Sequence, residues 1–348
     1  MLTQIRAYRT SIATFLTTLM VIWQIGQPLQ GAVVYWDING TTAGASGSGA
    51  ATGDWDGTNT FFNTDSTGAG GGAIAAWSGG DTLVFGAGTN ATNLYTVTVS
   101  GTQSIGGLTF EEGVVTLTGG ILQMAANSDF NVAGGLTATI NSAIDGGFNL
   151  SKLGAGTLVL GGTNTYTGNT LINAGILSIS TDANLGAAPG SVVADSMNFT
   201  GNSTLRLTGT GSPTINSNRG ITLNTGVSGT VQVVDATNTV TYGGIVTGIA
   251  GTTFKKTGAG TLDLQGNSTA AFLGALNVDG GTLKLSGNGE MAGTSGVTIS
   301  NRGTMTLDNS GTLNTNRTAG AITSSGGTIN FIGNAAARPR PCAEPRVG

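Results

Sequence analysis

Leu150-Ser-Lys-Leu-Gly-Ala-Gly-Thr-Leu-Val-Leu160 returns as Phe254-Lys-Lys-Thr-Gly-Ala-Gly-Thr-Leu-Asp-Leu264, 104 residues further on. Gly175-Ile-Leu-Ser-Ile179 matches Gly281-Thr-Leu-Lys-Leu285 at an offset of 106. Leu205-Arg-Leu207 with Asn216-Ser-Asn-Arg219 matches Met305-Thr-Leu307 with Asn314-Thr-Asn-Arg317. Two copies of a unit of about 100 residues are therefore visible, and self-similarity of this kind marks a repeat architecture. Within each unit the short segments have the form apolar-x-apolar, as in Leu158-Val-Leu160, Leu262-Asp-Leu264 and Leu283-Lys-Leu285. Strand side chains alternate between faces, so the outer pair points one way and x the other. Arg206, Asp263 and Lys284 at x predict that x faces water.

A strand of about five residues cannot bury enough surface alone. Stacked at about 4.8 Å, such strands form continuous sheets whose Leu, Ile and Val rows line an interior. Gly and Asn at the bends permit positive φ and sharp turns between faces. The expected fold is all-β, a right-handed parallel β-helix. A coil of roughly 20 residues gives about 15 rungs and a length on the order of 70 Å. An array of β-sandwich modules is the structural rival, disfavoured because the units lack a regular Trp or Cys anchor. Asp182-Ala-Asn-Leu-Gly186 is expected to form at most one helical turn.

The composition fits that reading. Gly 61, Thr 56, Asn 28 and Ser 25 make up nearly half of the 348 residues, while charged residues are 9%. With no His and a single Cys, Cys342, His-dependent catalysis, His-ligated metals and an internal disulfide are excluded. From Val33 to Ala337 there are 8 Lys and Arg against 16 Asp and Glu, the wrong sign for a nucleic-acid partner.

Four segments are expected. Residues 1–32 carry Arg6 and Arg9, the charge-free run Ser11 to Trp23 and small residues at Gly31 and Ala32, the pattern of a signal peptide cleaved near Gly31 or Ala32. Residues 33–105 hold Trp36, Trp55 and Trp77 and are expected to cap the solenoid; a sugar-stacking platform is the functional alternative. The β-helix follows over 106–335, with repeat units at about 147–250 and 251–335. An Arg- and Pro-rich tail, 336–348, breaks the pattern.

Lys152-Leu-Gly-Ala-Gly-Thr-Leu-Val-Leu160-Gly-Gly-Thr-Asn-Thr-Tyr-Thr-Gly168, followed by the Gly175 strand, resembles the autotransporter-associated β-strand repeat. The motif residues are Lys152, Gly154, Gly156, Thr157, Leu158 and Leu160. The second copy keeps Lys256, Gly258, Gly260, Thr261, Leu262 and Leu264, then departs at Asn267-Ser-Thr-Ala-Ala-Phe-Leu-Gly274. The resemblance covers about two thirds of the chain. It implies a secreted, surface-displayed passenger of a Gram-negative-type bacterium, outer-membrane associated where a C-terminal anchor follows. It also implies an adhesive or structural role, export machinery as a partner, and host-surface or matrix glycans or proteins as ligands. Complete family members continue into a membrane β-barrel of many ten-residue strands. No such run occurs here, and the tail is expected to be an incomplete or frame-altered end, with a short native tail as the alternative.

Catalysis would have to come from carboxylates. Glu111 and Glu112 sit at a turn, and Asp54 and Asp56 are expected in a solvated loop. Asp129, Asp145, Asp182, Asp195, Asp235, Asp263 and Asp279 stand singly, as turn or surface residues. Asp37-Ile-Asn-Gly40 resembles the start of a calcium loop but lacks its further ligands. Gly154-Ala-Gly156 is read as turn glycines, not a nucleotide loop. Lys152 and Lys256, at matching positions, are expected on a solvated strand face, with polyanion binding the sharper alternative. No catalytic residue, metal site or cofactor is expected. A non-enzymatic adhesive or spacer β-helix is the first reading, and a polysaccharide-binding or polysaccharide-degrading β-helix the second.

Overall fold

Thr-Leu-Val-Phe over 82–85 sets the pattern of the molecule: it pairs in parallel with Val33–Trp36 before it and with Thr102–Phe110 after it. The computed structural model describes residues 31–334. Nearly all of the expected signal peptide and the tail with Cys342 lie outside the described residues.

Parallel pairing repeats in three sheets. The first has 12 strands and runs from Val33–Trp36 to Val246–Gly248. The second also has 12, from Gly53–Trp55 to Ile322–Ser325. The third has six, beginning at Thr214–Ile215 and ending at Thr328–Ile332. The chain is thus an all-β parallel solenoid of about 11 turns. Regular helix is limited, among the described residues, to one 3-10 turn at Asp182–Leu185, the single turn that the sequence permits there.

In-register pairing builds the core. Val97, Leu117, Ile140, Leu160, Ile179, Leu207 and Val233 form one inward column, each the partner of the next. All are buried. Each such side chain contributes about 1.5–3 kcal/mol on leaving water, which a strand of four or five residues obtains only because neighbours above and below cover it.

The turns are fewer than 15 because their lengths vary. Leu160 pairs with Ile179, 19 residues on, but Ile179 pairs with Leu207, 28 on, and Trp55 with Val99, 44 on. The longer excursions leave as loops, which cost little entropy per added residue.

At the N-terminal end the pairing changes sense. Phe62–Asn63 runs antiparallel to Val33–Trp36, and Ile74–Ala75 antiparallel to Phe62–Asn63. Around them Trp36, Trp55, Phe62, Trp77 and Phe85 form a buried cluster, with Trp55 and Trp77 edge to face at 4.9 Å. Trp36 donates to Ala51 O at 2.7 Å and Trp77 to Ser104 O at 3.0 Å. These rings are core, so none of the three offers a sugar-stacking platform. The turn expected at Asp54 is instead a strand, Gly53–Trp55, with Asp54 exposed on its outer side.

Candidate functional site

Alternation decides where the repeat lysines go. In Leu150–Leu153, Leu150 faces inward, so Lys152 does too; in Thr253–Thr257, Phe254 carries Lys256 inward. Lys152 stands between Phe130 and Ile172 in its column, and Lys256 between Val231 and Val278. Both lysines are fully buried, which overturns the solvated-face and the polyanion-binding readings.

Each ammonium is satisfied by backbone. Lys152 Nζ donates to Leu153 O at 2.6 Å, Gly154 O at 2.8 Å and, in the next coil, Ala174 O at 3.1 Å. Lys256 Nζ donates to Thr257 O at 2.8 Å, Gly258 O at 3.0 Å and Gly280 O at 3.4 Å. Three donors meet three carbonyls that a sharp corner turns inward. Burial pushes both lysines down to about 8, and the carbonyl cage is what holds the charged form at neutral pH.

The glycines make that corner. Gly154 and Gly258 have φ of 72° and 78°, the left-handed region. A Cβ at Gly156 would press into Ala133 O of the coil below, and one at Gly260 into Asp235 O. Thr157, Leu158 and Leu160, and Thr261, Leu262 and Leu264, then start the next strand, with the leucines inward.

The two copies do not occupy the same face. Lys152 ends a strand of the first sheet and leads to the second; Lys256 ends a strand of the second sheet and leads to the third. Gly175–Ile179 lies in the second sheet, whereas its match Thr282–Leu285 lies in the third. The offset of 104 residues is therefore a whole number of coils plus one face, and the motif serves as a corner both from the first sheet to the second and from the second to the third.

The rest of the motif fills the following bend. Asn164 accepts from Ile144 N at 2.9 Å and donates to Asn184 O at 2.6 Å, while buried Tyr166 bonds Thr170 at 2.7 Å. In the divergent second copy Ser268 takes Asn164's place, accepting from Val246 N at 2.9 Å. Phe272 fills the space and meets Phe254 edge to face at 6.4 Å.

Arg219 and Arg317, which end the repeated Asn-x-Asn-Arg, are buried clamps. Arg219 donates to Asp182 at 2.9 Å and to the carbonyls of Leu185 and Gly186. Arg317 donates to Asn309 at 2.6 Å and to the carbonyls of Gly289, Gly287 and Thr312. Sequence reading noted the repeat but not the role; two arginines recurring in a chain with so few cations were the available signal.

The third sheet carries a charged row. Asp263 and Lys284 are register partners, and Lys284 Nζ lies 2.8 Å from Asp308 Oδ2 and 3.7 Å from Asp263 Oδ2. Ser286 donates to Asp263 at 2.6 Å and Gln265 at 3.1 Å. Lys284 and the Ser310 groups hold the Asp308 carboxyl far below the usual carboxylate range. The row lines an open depression of about 210 Å³. Asp263 is buried here, against the expectation for x, because neighbours one strand away cover it laterally.

The remaining carboxylates stay apart. Asp37 is buried, capping Asn39 and Gly40 and accepting from Asn63 Nδ2 at 2.8 Å. Asp56 and Asp235 hold turns at Thr58 and Thr237, and Glu112 accepts from Ala91 N. Asp279 pairs with Lys255, while Glu111, Asp129 and Asp195 are exposed. Among the described residues no three His, Cys, Asp or Glu converge as metal ligands.

Residues 150–179 and 254–285 match the passenger-associated-transport-repeat family. The chain is also similar to the adhesin BmaC autotransporter of Brucella suis biovar 1 (strain 1330), at 38% identity over 156 residues. That stretch is 44% of this chain and 4% of the relative, so the chain spans a small part of the protein it matches. No solved structure matches it.

Proposed function

We propose that the chain is part of a secreted, surface-displayed passenger whose solenoid acts as an adhesive or spacer element without catalysis. The observation that carries the reading is the pair of transport repeats, each built as a buried-lysine corner tying one coil to the next. Similarity to an autotransporter adhesin points the same way. Stacked ladders make a rigid rod, and its outward Thr, Ser and Asn can hydrogen-bond a partner without charge.

The test is a bead assay. Beads coated with the full chain should adhere to matrix-coated surfaces or host cells above beads coated with an inert protein, and a polysaccharide panel should release no reducing ends. Adhesion at the inert level would defeat the adhesive reading. Reducing-end release that is lost in Asp308→Asn would defeat the non-catalytic one and move attention to the charged row on the third sheet.

A further inference from the structure

The outer face of the second sheet changes character along its length. Its first strand, Gly53–Trp55, carries Asp54 beside Thr98, and from Ser203–Leu207 onward the face carries Arg206, Lys255 and Asp279, whereas the strands between, at 94–99, 114–118, 137–140 and 157–160, contain no charged residue. There the outward positions are mostly threonine. Thr96, Thr116 and Thr139 stack as one column of register partners. Thr98 and Thr118 form a second, and Thr137 and Thr157 a third. Leu94 and Val114, 68% and 41% exposed, extend the third column with methyl groups.

Two further observations mark this face. Among the described residues none of these seven hydroxyls spends itself on an internal hydrogen bond, unlike Thr165, Thr208 and Thr222, whose hydroxyls bond a side chain or carbonyl. The pairing across these strands also runs without a register shift, so the columns stay straight. The result is a fixed grid of free hydroxyl and methyl groups, about 4.8 Å apart along the solenoid and about 6.6 Å along each strand.

We infer that this threonine face binds ice. A partner for a rigid grid must itself repeat, and the grid's axial spacing names one. Water oxygens held tetrahedrally at about 2.8 Å place second neighbours about 4.6 Å apart. That is close to the strand spacing, so successive hydroxyls meet successive oxygens of one lattice row over several coils. Protein partners are disfavoured because their interfaces centre on aromatic or Arg anchors in pockets, and this face has neither.

The experiment grows ice slowly from a solution of the full chain mixed with an inert protein and measures each in the ice fraction. Thr116→Lys and Thr139→Lys place a charge in the centre of the face; Thr298→Lys places the same charge on an exposed position of the same sheet, four coils or more away. Each variant's urea midpoint is compared with wild type, so that loss of fold is not read as loss of binding. Wild type and Thr298→Lys should enrich in ice about tenfold over the inert protein, and the two central variants should fall to its level. Exclusion of the wild-type chain from ice overturns the inference. So does equal loss in Thr298→Lys, or retention on insoluble cellulose or chitin without enrichment in ice. The bead assay above involves no ice, so the two readings fail separately.

Discussion

Lys255 and Lys256 are adjacent, yet the structure gives them opposite fates, and replacing each by Met separates them. Lys255 is on the outer face, a third exposed, paired with Asp279. Exposed pairs of this kind contribute about 0.2–1 kcal/mol, so Lys255→Met should cost no more than that. Lys256 makes two good hydrogen bonds and a long one. Bonds to a charged group contribute about 1.5–3 kcal/mol each, or roughly 4–7 kcal/mol gross. Burial opposes this: a fall from 10.5 to about 8 corresponds to roughly 3 kcal/mol against the charged form. Lys256→Met should therefore cost about 1–4 kcal/mol, and Lys152→Met somewhat more, because all three of its bonds are short. The assay is urea unfolding with amide exchange read over 254–282. Equal midpoints for Lys255→Met and Lys256→Met, with unchanged protection across that corner, would refute the reasoning.

Other consequences are as specific. Gly156→Ala should cost about 3 kcal/mol, since the new methyl presses on a backbone carbonyl that cannot yield; thermal unfolding checks this. The lowered Asp308 gives a folded carboxyl that stays charged where the unfolded one protonates, so its contribution is complete above about pH 4. It is lost as pH falls below that, and exchange over 282–308 measured from pH 5 to pH 2 should show loosening that Asp308→Asn abolishes. Arg219→Met strips Leu185 and Gly186 of their donor, and protease cleavage within 186–192 should rise several-fold while distant coils stay protected.

Much of the fold was legible because period-2 alternation and bend glycines are local signals. Leu158 and Leu160 name the inward face on their own, and Gly154 and Gly156 name the corner. Alternation also held the placement of the repeat lysines: Lys152 shares its phase with Leu150, and Lys256 with Phe254. Charge was read ahead of phase, and no local pattern reveals that a corner's carbonyls converge to satisfy an ammonium. The burial of Asp263 lies still further from the sequence, since Lys284 and Ser286 reach it from a coil more than 20 residues away. The number of turns escaped for the same reason, as loop excursions between coils leave strand patterns intact. The one-face advance of the second repeat needs the coil lengths between the copies, which only the pairing supplies.

The corner account is tested most directly by amine labelling. The chain has four lysines, Lys152, Lys255, Lys256 and Lys284. Brief acetylation of the native full chain, followed by peptide mass spectrometry, should modify Lys255 and Lys284 and leave Lys152 and Lys256 untouched until urea unfolds the coils. If Lys256 is acetylated as fast as its neighbour Lys255, the buried-ammonium corner is wrong.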